Sequence, residues 1–356
     1  MSAHDSGRSL PPCPAPLTRL RRRVAWLALA GILGLALLPR PSRAEVPTLL
    51  NVSYDVSREL YKELNPAFVA DWQRRSGQAV QVRQSHGGST TQTGAVIAGL
   101  PADVVTLNQA ADLEKLAAKG LVAADWRQRF PQGAAPYRST IVFLVRQGNP
   151  RHIRDWQDLI APGVQVLLAN PKVSGNGRYA YLAAWGSVIQ RGGSEAQAQA
   201  FVGQLLAHVP VFDGGGRGAT TTFTQRGIGD VLLTFESEAA LIREELGAGR
   251  FELVAPPVSV DAPAPVAVVE PVARQHGSQA LAKAYLDFLF TPPAQALIAK
   301  HHLRPSDPAA WQQHAKSFAD IRLFSVEQLL GSWSSVQQRH FADGGLYDQL
   351  STAHAR

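Results

Sequence analysis

Short runs of strand-like apolar residues alternate with longer runs of helical spacing along most of this 356-residue chain, and four of the joints between them are rich in glycine or serine. The alternation predicts an α/β architecture. The joints are Ser53-Tyr54-Asp55, Ser85-His86-Gly87-Gly88-Ser89, Ser174-Gly175-Asn176-Gly177 and Asp213-Gly214-Gly215-Gly216-Arg217-Gly218. A strand-to-helix turn aims free backbone N–H groups and the positive end of a helix dipole at one point. Such a turn is a ready anion site. One turn of this kind is often a plain N-cap; four in one chain suggest a small anion held mostly by main chain.

The pattern places strands over 48–54, 80–82, 103–107, 140–145, 164–168, 209–212, 230–235 and 251–254. Helices are predicted over 58–75, from Ser89 onward, over 110–119, 179–186, 195–207, 278–289 and 293–300. Ser89 followed by Gln92 reads as a capping box, and Gly120 as the residue that closes the helix before it. The run 140–145 would carry the chain from a first lobe into a second, and the proline-rich stretch 255–272 would bring it back. The expected division is residues 45–138 and 259–308 for the first lobe and 139–258 for the second. A helical tail over 309–356 is expected to pack on the first lobe.

Residues 1–44 read as a cleavable export signal. Arg19 and Arg21 to Arg23 form its basic start, and residues 24–38 carry no charge. Fifteen apolar residues are short for a membrane span of about 20. Ser42-Arg43-Ala44 then offers a small-x-small cleavage site. Seven arginines and one acid lie in this segment, so removing it takes the net charge from +7 to +1. The basic balance of the whole chain is therefore no argument for nucleic-acid binding. The single cysteine, Cys13, also lies there. The 312-residue remainder has no disulfide and no thiolate, and it reads as an exported, periplasmic protein.

An anion buried in a cleft needs donors more than counter-charge. A hydrogen bond to an ionised acceptor is worth about 1.5–3 kcal/mol. A site made only of donors suits a fully ionised ligand, because a ligand proton would find no acceptor. The run Gly214 to Gly218 lacks the Lys-Ser/Thr ending of a nucleotide P-loop. The adjacent His301-His302 pair points two ways, so a metal site is not expected there.

Several segments resemble the bacterial periplasmic sulfate-binding protein family, with the similar thiosulfate-binding proteins sharing most of the motifs. They are residues 49–55, 84–89 and 135–145, Asn170-Pro171-Lys172, residues 182–186, residues 226–232, and His340-Phe341-Ala342-Asp343-Gly344-Gly345. The resemblance runs collinearly over essentially all of the chain after residue 44. It implies a two-lobed periplasmic binding protein fold (type II) with the ligand in the interlobe cleft. It also implies a monomeric receptor, without cofactor or metal, that delivers sulfate or thiosulfate to an ABC-type permease. Carried over by position, the backbone donors fall at Asp55, Ser89, Gly175, Asn176 and Gly216, and a serine hydroxyl at Ser174. Arg178 and Arg217 would flank two loops without touching the ligand, and His86, inside another, would pack or hydrogen-bond within it.

Two departures stand out. The family's serine-glycine-glycine is Ser174-Gly175-Asn176 here, and its tryptophan donor is Phe235, which has no N–H. Thr234, Ser237 or a water could replace that bond. Alternatively, sulfate would bind more weakly, or the site would favour thiosulfate, whose outer sulfur is a poor acceptor. Two other readings remain open. A phosphate- or molybdate-binding protein would need a carboxylate facing a ligand proton, with Asp55 as the residue to inspect. A serine hydrolase or transferase would use Ser89 or Ser174, but no Gly-x-Ser-x-Gly elbow is present.

Overall fold

The computed structural model describes residues 46–247 and 249–352. The predicted export signal lies outside the described residues. Thirteen strands follow in chain order: β1 (Thr48–Tyr54), β2 (Gln81–Gly87), β3 (Val104–Thr106), β4 (Tyr137–Ser139), β5 (Ile141–Arg146), β6 (Val166–Ala169), β7 (Phe212–Asp213), β8 (Val231–Phe235), β9 (Phe251–Val254), β10 (Val258–Ala264), β11 (Val266–Val268), β12 (Arg304–Pro305) and β13 (Arg322–Ser325). The helices of nine or more residues are α1 (Arg58–Ser76), α2 (Ser89–Ile97), α3 (Ala110–Ala118), α4 (Gly175–Ile189), α5 (Glu195–Ala207), α6 (Gly216–Thr224), α7 (Glu236–Leu246), α8 (Gln279–Phe288) and α9 (Pro292–Lys300).

The strands form three sheets. The first has the order β11-β3-β1-β2, with β1 parallel to both β2 and β3. The second has the order β7-β6-β8-β5-β9, with β6 parallel to β7 and β8. In the third, β12-β4-β10-β13, the central strands β4 and β10 are the segments that pass between the other two sheets, and β12 and β13 come later in the chain. Only Thr140 separates β4 from β5, and only Pro265 separates β10 from β11 of the first sheet. The proline-rich stretch thus contains two strands; Pro263 sits opposite Arg138 in an antiparallel pair.

Burial explains why the apolar runs look as they do. In β5, Ile141, Phe143 and Val145 join one apolar cluster and Val142 and Leu144 another. A strand covered on both faces needs a continuous apolar run rather than alternation, which is what residues 140–145 supply. α1 is amphipathic: Leu60, Leu64 and Phe68 are buried, and Phe68 meets Tyr285 of α8 edge-on at 5.0 Å. Gly77 ends α1 at φ +72°, a left-handed cap that a side chain would strain.

Two expectations need correcting. Ser89 is the first residue of α2, not its N-cap, and there is no capping box; Gly88 is the cap, and the Gln92 amide instead donates to Ser53 O and Ser85 Oγ. The tail, expected on the first lobe, divides: its first helix, Pro308–His314, packs against α9 and β12, and its later part lies against α4 and α5. Tyr181 of α4 meets His340, Phe341 and Tyr347, and the terminal helix Leu346–Thr352 packs on α5. The cause is α4 itself, which is buried on every side from Gly175 to Val188. Its own sheet covers only one face, so the tail aromatics cover another. At Gly186 a Cβ would overlap the ring of Phe324, and glycine is what lets β13 come so close.

Candidate functional site

Every predicted joint falls at the carboxyl end of a strand. β1 leads to Asp55, β2 to Gly88-Ser89, β6 to residues 170–175, β7 to Gly214–Gly216 and β8 to Glu236. The carboxyl ends of parallel strands are where open α/β sheets place ligands. Joints from both sheets touch one another. A Cβ on Gly88 would lie 2.7 Å from Val173 O and 2.9 Å from Gly214 O. One on Gly215 would lie 2.5 Å from Asp55 Oδ2, and one on Gly216 would lie 3.0 Å from Val56 Cγ1 and 3.4 Å from Asn176 Cγ. A Cβ on Gly175 would overlap the side chain of Asn108.

The main chain at these joints is rich in free donors. Gly88 and Gly215 are the caps of α2 and α6 and bring no capping side chain. Ser174 caps α4 with its Oγ, which accepts only from Gly177 N, at 3.5 Å. The N–H groups of Ser89, Gly175, Asn176 and Gly216 have no acceptor among the described residues. Those of the first helical turn are orphaned by geometry, and a partial positive charge gathers there.

The carbonyls of the same loop are all occupied. Asn170 O accepts from Val173 N and Ser174 N, Pro171 O from Arg178 Nε, and Lys172 O from Arg178 Nη2. The Ser89 hydroxyl is spent as well, donating to Asp112 Oδ2 at 2.7 Å. Ser89 therefore offers its backbone and not its side chain.

Asp55 holds the two sheets' loops together. Its Oδ1 accepts from Val56 N at 3.1 Å and its Oδ2 from Arg217 N at 2.9 Å. Burial raises the Asp55 carboxyl above its ordinary value, against the pull of those N–H donors. Both oxygens are thus committed to the loops. His86 lies in β2, its Nδ1 3.2 Å from Tyr54 O, and burial lowers its pKa. Arg178 is buried, with its Nη1 3.8 Å from Asp112 Oδ1, and burial lowers its pKa against the attraction of Asp112. Arg217 Nη2 stands 3.2 Å from Glu238 Oε2.

Phe235, the N-cap of α7, is 2% exposed. Its ring lies edge-on to Tyr54 at 6.4 Å and to Tyr179 at 6.0 Å, one from each side of the joint. Asn176 Nδ2 donates to Thr234 Oγ1 at 3.4 Å. All seven residues predicted to face a ligand therefore lie within one group of touching loops.

Sequence reasoning missed Asn108 and Asp112; Glu236 and Glu238, expected to pair with arginines, meet Arg304 and Arg217. Asn108 follows β3 as the other joints follow their strands, and that repeat was the available signal. Glu238 is 1% exposed, and burial pushes its carboxyl up to about 7, against the attraction of Arg217 and a bond from Thr220 Oγ1. The folded protein thus holds a proton that the unfolded chain releases between the ordinary carboxyl value and about 7. That contribution to stability is full at low pH and is lost as pH rises through 7. Glu238→Gln should therefore gain on the native protein by about 1 kcal/mol or more between pH 5 and pH 8, read by denaturant unfolding at both.

Among the described residues no cluster of three or more His, Cys, Asp or Glu is arranged to hold a metal ion, and no helix is long and apolar enough to cross a membrane. The arrangement offers main-chain donors, one serine hydroxyl and an apolar ring around one point.

Comparison with known proteins agrees with this geometry. A family model described as bacterial extracellular solute-binding protein matches residues 52–304. The chain is 52% identical to the thiosulfate-binding protein of Pseudomonas aeruginosa, over 85% of this chain and 91% of that protein. It is 47% identical to the sulfate-binding protein of Escherichia coli, over 85% and 92% respectively. The solved structure of the sulfate-binding protein SubI from Mycobacterium tuberculosis superposes with a TM-score of 0.76 at 34% identity, covering 83% of this chain and 99% of that one.

Proposed function

Because this chain belongs to the family of bacterial extracellular solute-binding proteins, we propose that it is a periplasmic receptor that captures sulfate or thiosulfate and delivers it to the permease of an ABC-type importer. The observation that carries the reading is the set of unpaired N–H groups on Ser89, Gly175, Asn176 and Gly216, brought together from two sheets. With the Asp55 N–H and the Ser174 hydroxyl they supply donors to a tetrahedral dianion. The first and second sheets are the two lobes, and the strands of the third are the hinge about which a monomer closes. Residues 1–44 direct export and are removed.

The N–H donors at these joints outnumber the acceptors without a partner, Asn108 Oδ1 and Asn176 Oδ1, which favours a fully ionised ion. Asp55, the carboxylate singled out as a partner for a phosphate proton, is tied to two backbone N–H groups. Against the enzyme alternative, the Ser89 hydroxyl is committed to Asp112 Oδ2 at 2.7 Å. Calorimetric titration of the anion-stripped protein with sulfate, thiosulfate and phosphate tests the assignment. Micromolar or tighter binding of either sulfur oxyanion is the expected result; tight phosphate with neither of them would overturn it.

The Phe235 ring favours a second, narrower reading, in which thiosulfate is the preferred ion. An apolar edge at one corner suits a sulfur that accepts hydrogen bonds poorly. Phe235→Trp adds a donor there and should strengthen sulfate binding about tenfold. Thiosulfate binding should change less, and an equal gain for both ions would sink the reading.

A further inference from the structure

The tail contacts α4 through more than packing. Lys172 sits in the loop between β6 and α4, two residues before Ser174. Its Nζ donates to Phe341 O at 3.2 Å, to Ala342 O at 3.1 Å and to Asp348 Oδ2 at 2.8 Å, and it stands 3.4 Å from Asp343 Oδ1. Asn170, at the start of the same loop, accepts from Tyr347 Oη at 3.5 Å and from Lys172 N at 2.9 Å. Arg178, in the first turn of α4, lies over the Phe341 ring at 5.3 Å. The tail therefore grips the loop at its start and middle, and the first turn of the helix that follows it.

The same tail also reaches the first sheet's side of the molecule. Trp333 meets Tyr179 of α4 edge-on at 5.6 Å, and its segment Trp333–Val336 packs against α3. Glu327 pairs with Arg127 at 3.1 Å, and Arg127 also pairs with Glu114 of α3. One continuous piece of chain thus spans from the anion loop of one sheet to the helix that carries Asp112 of the other.

We propose that Lys172 is a positioning residue for anion capture. Its ammonium fastens the tail to the Asn170–Ser174 loop, and the tail clasps α3 and Arg127 when the lobes close. This rests on the anion site proposed above. Lys172 touches no ligand in this scheme. It sets the placement of the Gly175 and Asn176 N–H groups and slows reopening, so its removal acts mainly on dissociation.

The test is Lys172→Met, which keeps the apolar stem and removes the charge, measured against sulfate and thiosulfate by calorimetry and by stopped-flow tryptophan fluorescence. Affinity for both ions should fall about tenfold, mostly through faster dissociation. The ligand-free melting temperature should stay within a few degrees, and Lys172→Arg should recover most of the affinity. Glu327→Gln, at the far end of the clasp, should also speed dissociation. Native-like binding by Lys172→Met would overturn the proposal. So would a loss that Lys172→Arg does not rescue and that follows a matching fall in ligand-free stability. A native protein that binds neither ion would overturn the anion reading itself, and with it this role for Lys172.

Discussion

Gly88→Ala is expected to weaken sulfate and thiosulfate binding by about 100-fold while leaving the ligand-free protein close to native stability. The backbone at Gly88 has φ −55° and ψ 133°, which any residue adopts without strain. Nothing within the first sheet therefore demands glycine there. The demand comes from across the cleft, where a methyl group would meet the carbonyls of Val173 and Gly214 at 2.7 and 2.9 Å. Backbone oxygens cannot swing aside as a long side chain can, so the loops must part. Parting the loops spreads the donors proposed to surround the ion. Calorimetry gives the affinity, and thermal unfolding without anion gives the stability. A melting temperature that falls in step with the affinity would mean that the loops are in contact without ligand as well as with it.

The largest loss of stability is expected from the ion pair between Glu236 and Arg304. Arg304 Nε and Nη2 reach the two carboxylate oxygens at 2.7 and 3.0 Å, and Ala319 N donates to the same carboxylate at 3.1 Å. The side chains are 7% and 5% exposed. Removing one partner strands the other charge away from water, at about 3–5 kcal/mol. Arg304→Ala should therefore lower the unfolding free energy by about that amount, read from urea denaturation. It also removes the guanidinium that lies over Trp311 and Phe318. The double variant Glu236→Gln with Arg304→Met leaves no bare charge and should cost clearly less. A double variant as damaged as the single one would locate the loss in packing instead. The pair ties the first residue of α7 to β12, and so the Phe235 corner of the site to the third sheet.

The strands and long helices were legible because burial on one or two faces writes a period into the sequence. α5 and β9 fall where the pattern put them, and β5 was visible as an unbroken apolar run. The site was legible for a related reason. Glycine and serine after a strand mark places where the main chain must come close to something. What lay across each joint was hidden, since the contacts of Gly88 with Val173 and of Asp55 with Arg217 join residues far apart in the chain. The capping box at Ser89 failed because Gln92 found better acceptors in Ser53 and Ser85, both on neighbouring strands. The position of the tail was unreadable because nothing local says which face of α4 its own sheet leaves bare.

A ligand held by peptide groups has an unusual relation to mutation. Peptide N–H groups are common to every residue but proline, so the donors at Ser89, Asn176 and Gly216 survive most changes of side chain. A saturation screen for anion uptake would pass quietly over many of the positions proposed to hold the ion. It would register its losses one step away, at the glycines whose missing Cβ lets two loops meet and at the side chains that steer them. The map of sensitive positions would trace the seam between the lobes and not the outline of the ligand.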